Sequence, residues 1–281
     1  MIKAIALDMD GTLLNEHHDV TPKLETYLHT LHQRGMKIFL ATGRSLNEID
    51  SVLPHGLPID GMVGANGMIV HAERNEIVVQ SVPGTLVKKL VQQARDVGLY
   101  YEIHPLTESR YALAEDLERL KYEVEEPRAA TVMDHEWKSR IEAFRSKIAW
   151  KDGVDEQQSI IKLYFFSKDQ DRITHWIETL QAWQQEVDFT ISSSSDHNVE
   201  VMAPGVNKAT GIQHLLDYFD VDRDELLAVG DGENDMPLLD MAAEAVVMKN
   251  SSDTVKEAYD VVTPYSHAED GLYKYLQARF E

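Results

Sequence analysis

The sequence predicts an α/β protein: a doubly wound parallel sheet whose chain is interrupted by an inserted α+β domain. Three observations carry this reading. Short apolar runs alternate with helix-period segments from Ile2 to about Val82, the same alternation returns from about residue 196, and between them helices overlie a small, largely antiparallel set of strands. Strand–helix alternation builds parallel sheets with right-handed crossovers. One discontinuous domain, residues 1–83 and 196–281, with a second domain over 84–195, is the simplest organisation that holds both rhythms. A chain of 281 residues is long enough for both.

In order, Ile2–Leu7 reads as a strand. Thr21–Arg34 reads as a helix, with Thr21 as N-cap, Pro22 at its first position and Gly35 as its stop. Lys37–Ala41 is a second strand, Ser45–Leu53 is helix-like, and Gly61–Ala65 is a third strand. A hairpin follows, Met68–His71 against Glu76–Val82, turning through Arg74-Asn75. In the middle section Thr85–Val97 is an amphipathic helix with Leu86, Leu90, Val91 and Ala94 on one face. Leu99–Ile103 and Arg110–Ala114 are strand-like, and Glu115–Pro127 is acidic and poorly periodic, which suits a solvated surface. A helix over Trp137–Lys147, a strand over Ser159–Phe166, a helix over Asp169–Glu186 and a strand over Val187–Ser192 complete the insert. Trp176 and Trp183, seven apart on one helix, suggest a packed face. The α/β rhythm then resumes: strand Val199–Met202, helix Lys208–Phe219, strand Leu226–Gly230, helix Asn234–Ala243, and strands Ala245–Met248 and Val261–Thr263 around a helix.

Composition narrows the function classes. With 27 basic against 48 acidic residues the net charge is −21, which argues against nucleic-acid binding through neutralised phosphates. The chain has no cysteine, so disulfides and thiolate metal sites are excluded. No apolar stretch approaches the roughly 18 residues of a membrane span, and the N-terminus opens directly into a strand, so a cytoplasmic protein without a membrane partner is expected.

Four polar clusters follow apolar runs of the discontinuous domain: Asp8-Met9-Asp10, Thr42-Gly43-Arg44, Val206-Asn207-Lys208, and Gly230-Asp231-Gly232-Glu233-Asn234-Asp235. If the strands are parallel, three of these clusters share the sheet's carboxyl edge, where such folds bind ligands, and Lys208 reaches it from its helix start. Two carboxylates two residues apart raise each other's pKa unless a cation offsets them. Carboxylates for a hard cation, a hydroxyl, a lysine and glycine-freed amides together suit phosphoryl transfer. Asp8 and Asp231 are placed as Mg²⁺ ligands, Lys208 balances phosphate charge, and the Thr42 hydroxyl with the Thr42 and Gly43 amides holds phosphate oxygens.

The run Asp8-Met9-Asp10-Gly11-Thr12-Leu13 resembles the first motif of the haloacid dehalogenase superfamily. Thr42-Gly43-Arg44 resembles its second motif, Lys208 its third, and Gly230–Asp235 its fourth. The last of these, the Asn66-Gly67 turn and the large insert are similar to the Cof-type branch, phosphatases with a Rossmann-like core and a type IIB cap, although Met68 stands where that branch has Ala. The resemblance implies that Asp8 is the nucleophile forming an aspartyl-phosphate and that Asp10 is the acid/base. It implies that Asp8, the Asp10 carbonyl and Asp231 bind Mg²⁺. It also implies that Met9 (through its backbone), Thr42, Gly43, Lys208 and Asn234 contact phosphate, and that Asp235 supports the metal shell or orients Lys208. The implied substrate is a small phosphorylated metabolite, sugar phosphates by default, with a cap that closes over the sheet edge.

Rival readings exist for individual residues. Asp8 and Asp10 also suit a turn, Asn234 suits a helix N-cap, and Asp235 suits a helix dipole. His17 and His18 read as solvated loop residues, and no Walker or dinucleotide fingerprint is present. A phosphomutase and a non-enzymatic phosphate-sensing module are the alternatives on the same fold.

Overall fold

The computed structural model describes residues 1–45, 48–49 and 52–281. The chain divides into two compact units, one formed by Met1–Val79 with Val206–Glu281 and the other by Gln80–Gly205. The first unit opens with β1 (Ala4–Leu7), α1 (Pro22–Gln33), β2 (Lys37–Ala41), β3 (Gly61–Gly64), β4 (Ile69–Ala72) and β5 (Asn75–Val79). The second contains α2 (Gly84–Asp96), β6 (Tyr100–Pro105), β7 (Tyr111–Leu113), α3 (Leu117–Glu123), α4 (Asp134–Glu142), β8 (Ala149–Lys151), β9 (Ile160–Phe166), α5 (Gln170–Trp183), β10 (Thr190–Ser192) and β11 (Asn198–Met202). The chain then returns with α6 (Lys208–Phe219), β12 (Leu226–Gly230), α7 (Met236–Met241), β13 (Glu244–Val247), α8 (Asp253–Ala258) and α9 (Gly271–Phe280). The helix expected over Ser45–Leu53 falls on a segment partly outside the described residues. Among the described residues, no helix is long and apolar enough to cross a membrane.

In the first unit the sheet order is β13-β12-β1-β2-β3-β4-β5. The block from β13 to β3 is parallel, and β4 and β5 extend it antiparallel. All four residues of β1 are buried, as parallel strands covered on both faces require. Alternation divides their side chains between two cores. Ile5, Leu7, Ile38 and Leu40 pack with Leu24, Leu28 and Leu31 of α1. Ala4, Ala6, Ala41 and Ala228 face Ile212, Leu215 and Leu216 of α6. Gly211 lets α6 approach that second face closely: a Cβ built on it would lie 2.3 Å from Val63.

Three local expectations change. Thr21 precedes α1 but its side chain makes no cap hydrogen bond, so Pro22 at the first turn sets that start. The hairpin turns through Glu73 and Arg74, with φ of 49° and 70°. Left-handed residues at both turn positions match the strand twist; Asn75, which has the turn-forming side chain, already belongs to β5. The third change concerns domain membership.

In the second unit the sheet order is β10-β11-β9-β6-β7-β8. Val199–Met202, expected to begin the return to the discontinuous domain, instead pairs antiparallel with β9 and β10 in this sheet. Its five-residue strand is fully buried, a pattern that a parallel core strand shares, so nothing local names its partner. The acidic stretch from Glu115 exposes Glu115, Glu118, Glu125 and Glu126 to solvent as expected, but two of its carboxylates are buried. Asp116 and Glu123 are both 1% exposed. Asp116 accepts hydrogen bonds from Tyr101 and Arg95, and Glu123 accepts from Ser167, the Lys168 amide and Arg172. Full pairing is what permits such burial. Trp176 packs on Phe165 at 5.2 Å, whereas Trp183 lies half-buried under Lys89.

This sheet carries a buried charge cluster. Glu102 accepts from Tyr100 (2.7 Å), Arg110 (2.9 Å), His104 (3.0 Å) and Arg140. Burial pushes the His104 pKa down to about 4, opposed by its bond to Glu102 and reinforced by Arg110 and Lys162. Between the ordinary value of 6.5 and about 4, the unfolded chain binds the proton that the folded chain refuses. The stability from this residue is therefore complete above pH 6.5 and is lost as pH falls toward 4, by up to about 3 kcal/mol. Thermal unfolding across this window should show a steeper acid loss for wild type than for His104→Gln. Parallel curves for the two proteins would contradict it.

Candidate active site

Adjacent parallel pairing of β12, β1 and β2 brings the ends of all three strands side by side, and with them Asp231, Asp8 and Thr42. Lys208 is added by the start of α6. Asn207 caps that helix, its side chain accepting from the Thr210 amide while the Thr210 hydroxyl accepts from the Asn207 amide, each at 3.0 Å. Lys208, 1% exposed, donates to Asp8 Oδ1 and to Asp235 Oδ1, both at 2.6 Å. Asp235 Oδ2 accepts from the amides of Asp231 (3.0 Å) and Gly232 (2.9 Å), so one side chain shapes its own loop and orients the lysine.

Asp231 is held from two more directions. The Thr12 hydroxyl donates to its Oδ1 at 2.9 Å, and Asn250 Nδ2 lies 3.3 Å from its Oδ2. Asn250 also donates to the Gly11 carbonyl and accepts from the His267 amide. Gly11 has φ of +81°, and a Cβ there would lie 2.3 Å from Asp231 Oδ2. The first turn must be glycine for both reasons.

The charges at this edge do not balance. Burial, Asp235 and Asp231 push the Asp8 carboxyl well above the usual range, against the pull of Lys208. Burial and Asp235 push Asp231 up to about 7. Burial alone would lower Lys208, but Asp235 and Asp8 outweigh it and raise it. Three carboxylates thus face one ammonium. Asp8, Asp231 and Asp235 each offer an oxygen, all within 4.8 Å of one another. An all-oxygen set with excess negative charge fits a hard divalent cation.

Asp10 stands apart from this cluster. Its half-exposed carboxylate makes a bidentate pair with Arg44, at 2.7 Å to Nε and 2.6 Å to Nη2, and His18 Nδ1 lies 3.8 Å away. Burial would raise its pKa, but the Arg44 and His18 hydrogen bonds and charges hold it below the usual carboxylate range. His18, with φ of 60°, faces this carboxylate as well as solvent.

At the end of β2 the Thr42 hydroxyl accepts from the Arg44 amide at 3.1 Å and retains its own proton to donate. The Thr42 amide, expected to hold an anion, is committed to the Val63 carbonyl at 2.9 Å, because pairing with β3 runs one residue past β2. Gly43 lies against Asn66, whose Oδ1 is 3.3 Å from Asn234 Nδ2. The Met9 side chain is fully buried in the α1-side core, and its carbonyl accepts from Leu14.

The structure therefore joins Asp8, Lys208, Asp231 and Asp235, sets Thr42, Gly43 and Asn234 beside Asn66, and turns Asp10 toward Arg44. Arg44, Thr12, Asn66 and Asn250 join this edge in addition to the residues expected there. Arg44, Thr12 and Asn66 sit inside or beside quoted motifs. Asn250 lies just beyond β13, where the strand-end rule points to it.

A sequence model described as haloacid dehalogenase-like hydrolase matches residues 5–276. A Bacillus subtilis protein named 5-amino-6-(5-phospho-D-ribitylamino)uracil phosphatase YitU is 25% identical over 288 residues, covering 98% of this chain and 97% of its own. A solved haloacid dehalogenase-like hydrolase from B. subtilis superposes with TM-score 0.80 at 24% identity, over 98% of this chain and 99% of that one. A solved subclass IIB sugar phosphatase superposes with TM-score 0.76 at 22% identity, over 99% and 98%.

Proposed function

We propose that this chain, which belongs to the haloacid dehalogenase-like hydrolase family, is a cytoplasmic Mg²⁺-dependent phosphatase of small phosphorylated metabolites. The observation that carries the reading is the buried Asp8–Lys208–Asp235 chain at 2.6 Å per contact, beside Asp231 at the sheet edge. It supplies a positioned nucleophile, a phosphate counter-charge and a cation site together. The Asp8 and Asp231 carboxylates and the Asp10 carbonyl would hold Mg²⁺, with Asp235 behind them. Bound there, the ion neutralises charge on the phosphoryl oxygens.

In the reaction an Asp8 oxygen attacks phosphorus, the bond from phosphorus to the ester oxygen breaks, and Asp10 gives that oxygen its proton. Water then attacks the same phosphorus. Asp10 takes the water's proton, and the bond to Asp8 breaks to release phosphate and the free carboxylate. Lys208, the Thr42 hydroxyl, the Met9 and Gly43 backbone and Asn234 hold the phosphoryl oxygens. The Arg44-paired state is the base form of Asp10, used in the second half; to carry the proton of the first half, Asp10 must leave Arg44.

Sugar or polyol phosphates are the favoured substrates, since the similar proteins above are named for a ribityl phosphate and for sugar phosphates. The test is phosphate release from sugar phosphates, flavin mononucleotide and an aryl phosphate, with Mg²⁺ and with chelator. Metal-dependent release is expected. Sugar-phosphate isomerisation without net phosphate would favour a mutase instead.

Glycine variants separate site geometry from general strain. Gly35 has φ of +88° with nothing near a built Cβ, whereas Gly11 has φ of +81° with Asp231 in the way. Both alanine variants carry the left-handed cost of about 1–2 kcal/mol. Only Gly11→Ala should lose turnover, by more than about tenfold, because it displaces Asp231. Equal losses in both variants would contradict this.

A further inference from the structure

Three successive residues after β3 have positive φ: Ala65 at 47°, Asn66 at 54° and Gly67 at 110°. Glycine and asparagine tolerate this region; alanine does not, and such strain persists only where the surroundings hold it. Here they do. The Ala65 amide donates to the Arg44 carbonyl at 2.8 Å, and the Asn66 amide donates to the Thr42 carbonyl at 2.9 Å. On the other side, a Cβ on Gly67 would lie 2.3 Å from the Asn207 carbonyl. The turn is wedged between the Thr42–Arg44 loop and the residue preceding Lys208.

The Asn66 side chain does more than suit a turn. It is 3% exposed and its Oδ1 meets Asn234 Nδ2, 168 residues away, at 3.3 Å. Its Nδ2 lies 3.2 Å from where a Gly43 side chain would begin. One buried amide therefore bonds to the loop after β12 and lies beside the loop after β2, in the space a Gly43 side chain would enter. A side-chain amide has two N–H groups. When Asn234 gives one to Asn66, the plane of its amide is set and the other is free to be aimed.

We propose that Asn66 is a positioning residue for phosphate: it orients the Asn234 amide and the Gly43 peptide, so that the donors of two separate loops converge on one anion. This rests on the phosphatase reading above. It acts through those residues and needs no contact between Asn66 and the anion.

The test uses Asn66→Gly, which keeps the left-handed turn and deletes the amide, and Asn66→Asp, which keeps turn preference and the Oδ1 acceptor but replaces the amide N–H donors with charge. Binding of inorganic phosphate to the Mg²⁺-loaded protein is measured by calorimetry beside thermal unfolding. Asn66→Gly should bind phosphate about tenfold more weakly, the worth of one orienting hydrogen bond, with KM raised more than kcat is lowered. Asn66→Asp should lose more than about tenfold and should also unfold at a lower temperature, since it buries an unpaired charge, so the affinity loss is read at a temperature where both variants are folded. Adding Asn66→Gly to Asn234→Ala should cost less than about twofold, because the two act as one unit. Wild-type affinity in Asn66→Gly or in Asn66→Asp, or full additivity in the double variant, would overturn the proposal. If wild-type protein hydrolyses no ester, the proposed function falls while the phosphate titration still tests Asn66.

Discussion

Asp8→Asn should remove phosphate release, by more than about 10⁴-fold, while leaving the protein at least as stable as wild type. The two halves of this result have one cause. Asparagine matches aspartate in shape but offers no anionic oxygen to attack phosphorus, so the covalent route closes. Its neutrality also relieves the edge at which Asp8, Asp231 and Asp235 crowd the Lys208 ammonium, and at which the Asp235 charge adds to burial in holding the Asp8 and Asp231 pKa values up. Lys208 keeps Asp235 at 2.6 Å, so the lysine is not stranded. Initial rates on an aryl phosphate and thermal unfolding check both halves. Activity within tenfold of wild type would remove Asp8 as nucleophile, and a large loss of stability would mean that its charge is structural.

Lys208→Met should behave in the opposite way, losing both activity and stability. The substitution keeps much of the buried stem but leaves Asp8 and Asp235, 5% and 1% exposed, with no cation between them. Removing one partner of a buried ion pair costs about 3–5 kcal/mol, because the remaining charge has lost both water and counter-charge. Two consequences follow from the charge argument. Millimolar Mg²⁺ should restore part of the lost stability by supplying positive charge to the same oxygens. Adding Asp235→Asn should also restore part of it, since the second variant removes an unpaired carboxylate. A Lys208→Met protein that unfolds like wild type, with or without Mg²⁺, would contradict the electrostatic account of this edge.

The legible part of the protein is the part written in local pattern. Helix Lys208–Phe219 and strand Leu226–Gly230 match the structure at both ends, because an asparagine cap and a glycine exit are short-range signals. Asp8 and Asp231 were legible because strand ends in a parallel sheet converge whatever the loops do, and Lys208 because a helix starts at the same edge; Asp235 was expected there only from the resemblance. What escaped depends on partners distant in sequence. β11 joins the inserted sheet, and burial on every residue cannot say which sheet a strand enters. The three-residue β8 is too short to show a period, and α9 buries only Leu272 and Leu276 among its large side chains. Asp116 and Glu123 look solvated until Tyr101, Arg95, Ser167 and Arg172 close on them. At the site, Thr42 lost its amide to the sheet ladder, and Arg44 turned Asp10 outward, both outcomes of side-by-side packing.

A phosphoryl group carried on Asp8 can be caught by a rapid acid quench of Asp10→Asn reacting with an aryl phosphate in Mg²⁺. An aryl leaving group needs little help from an acid, so the first displacement proceeds; the second needs the base and stalls. A burst of one aryl alcohol per protein is expected, with a phosphoryl group on the peptide containing Asp8. Turnover by the wild type, with no burst in the variant and no phosphoryl group on Asp8 in either protein, would contradict it.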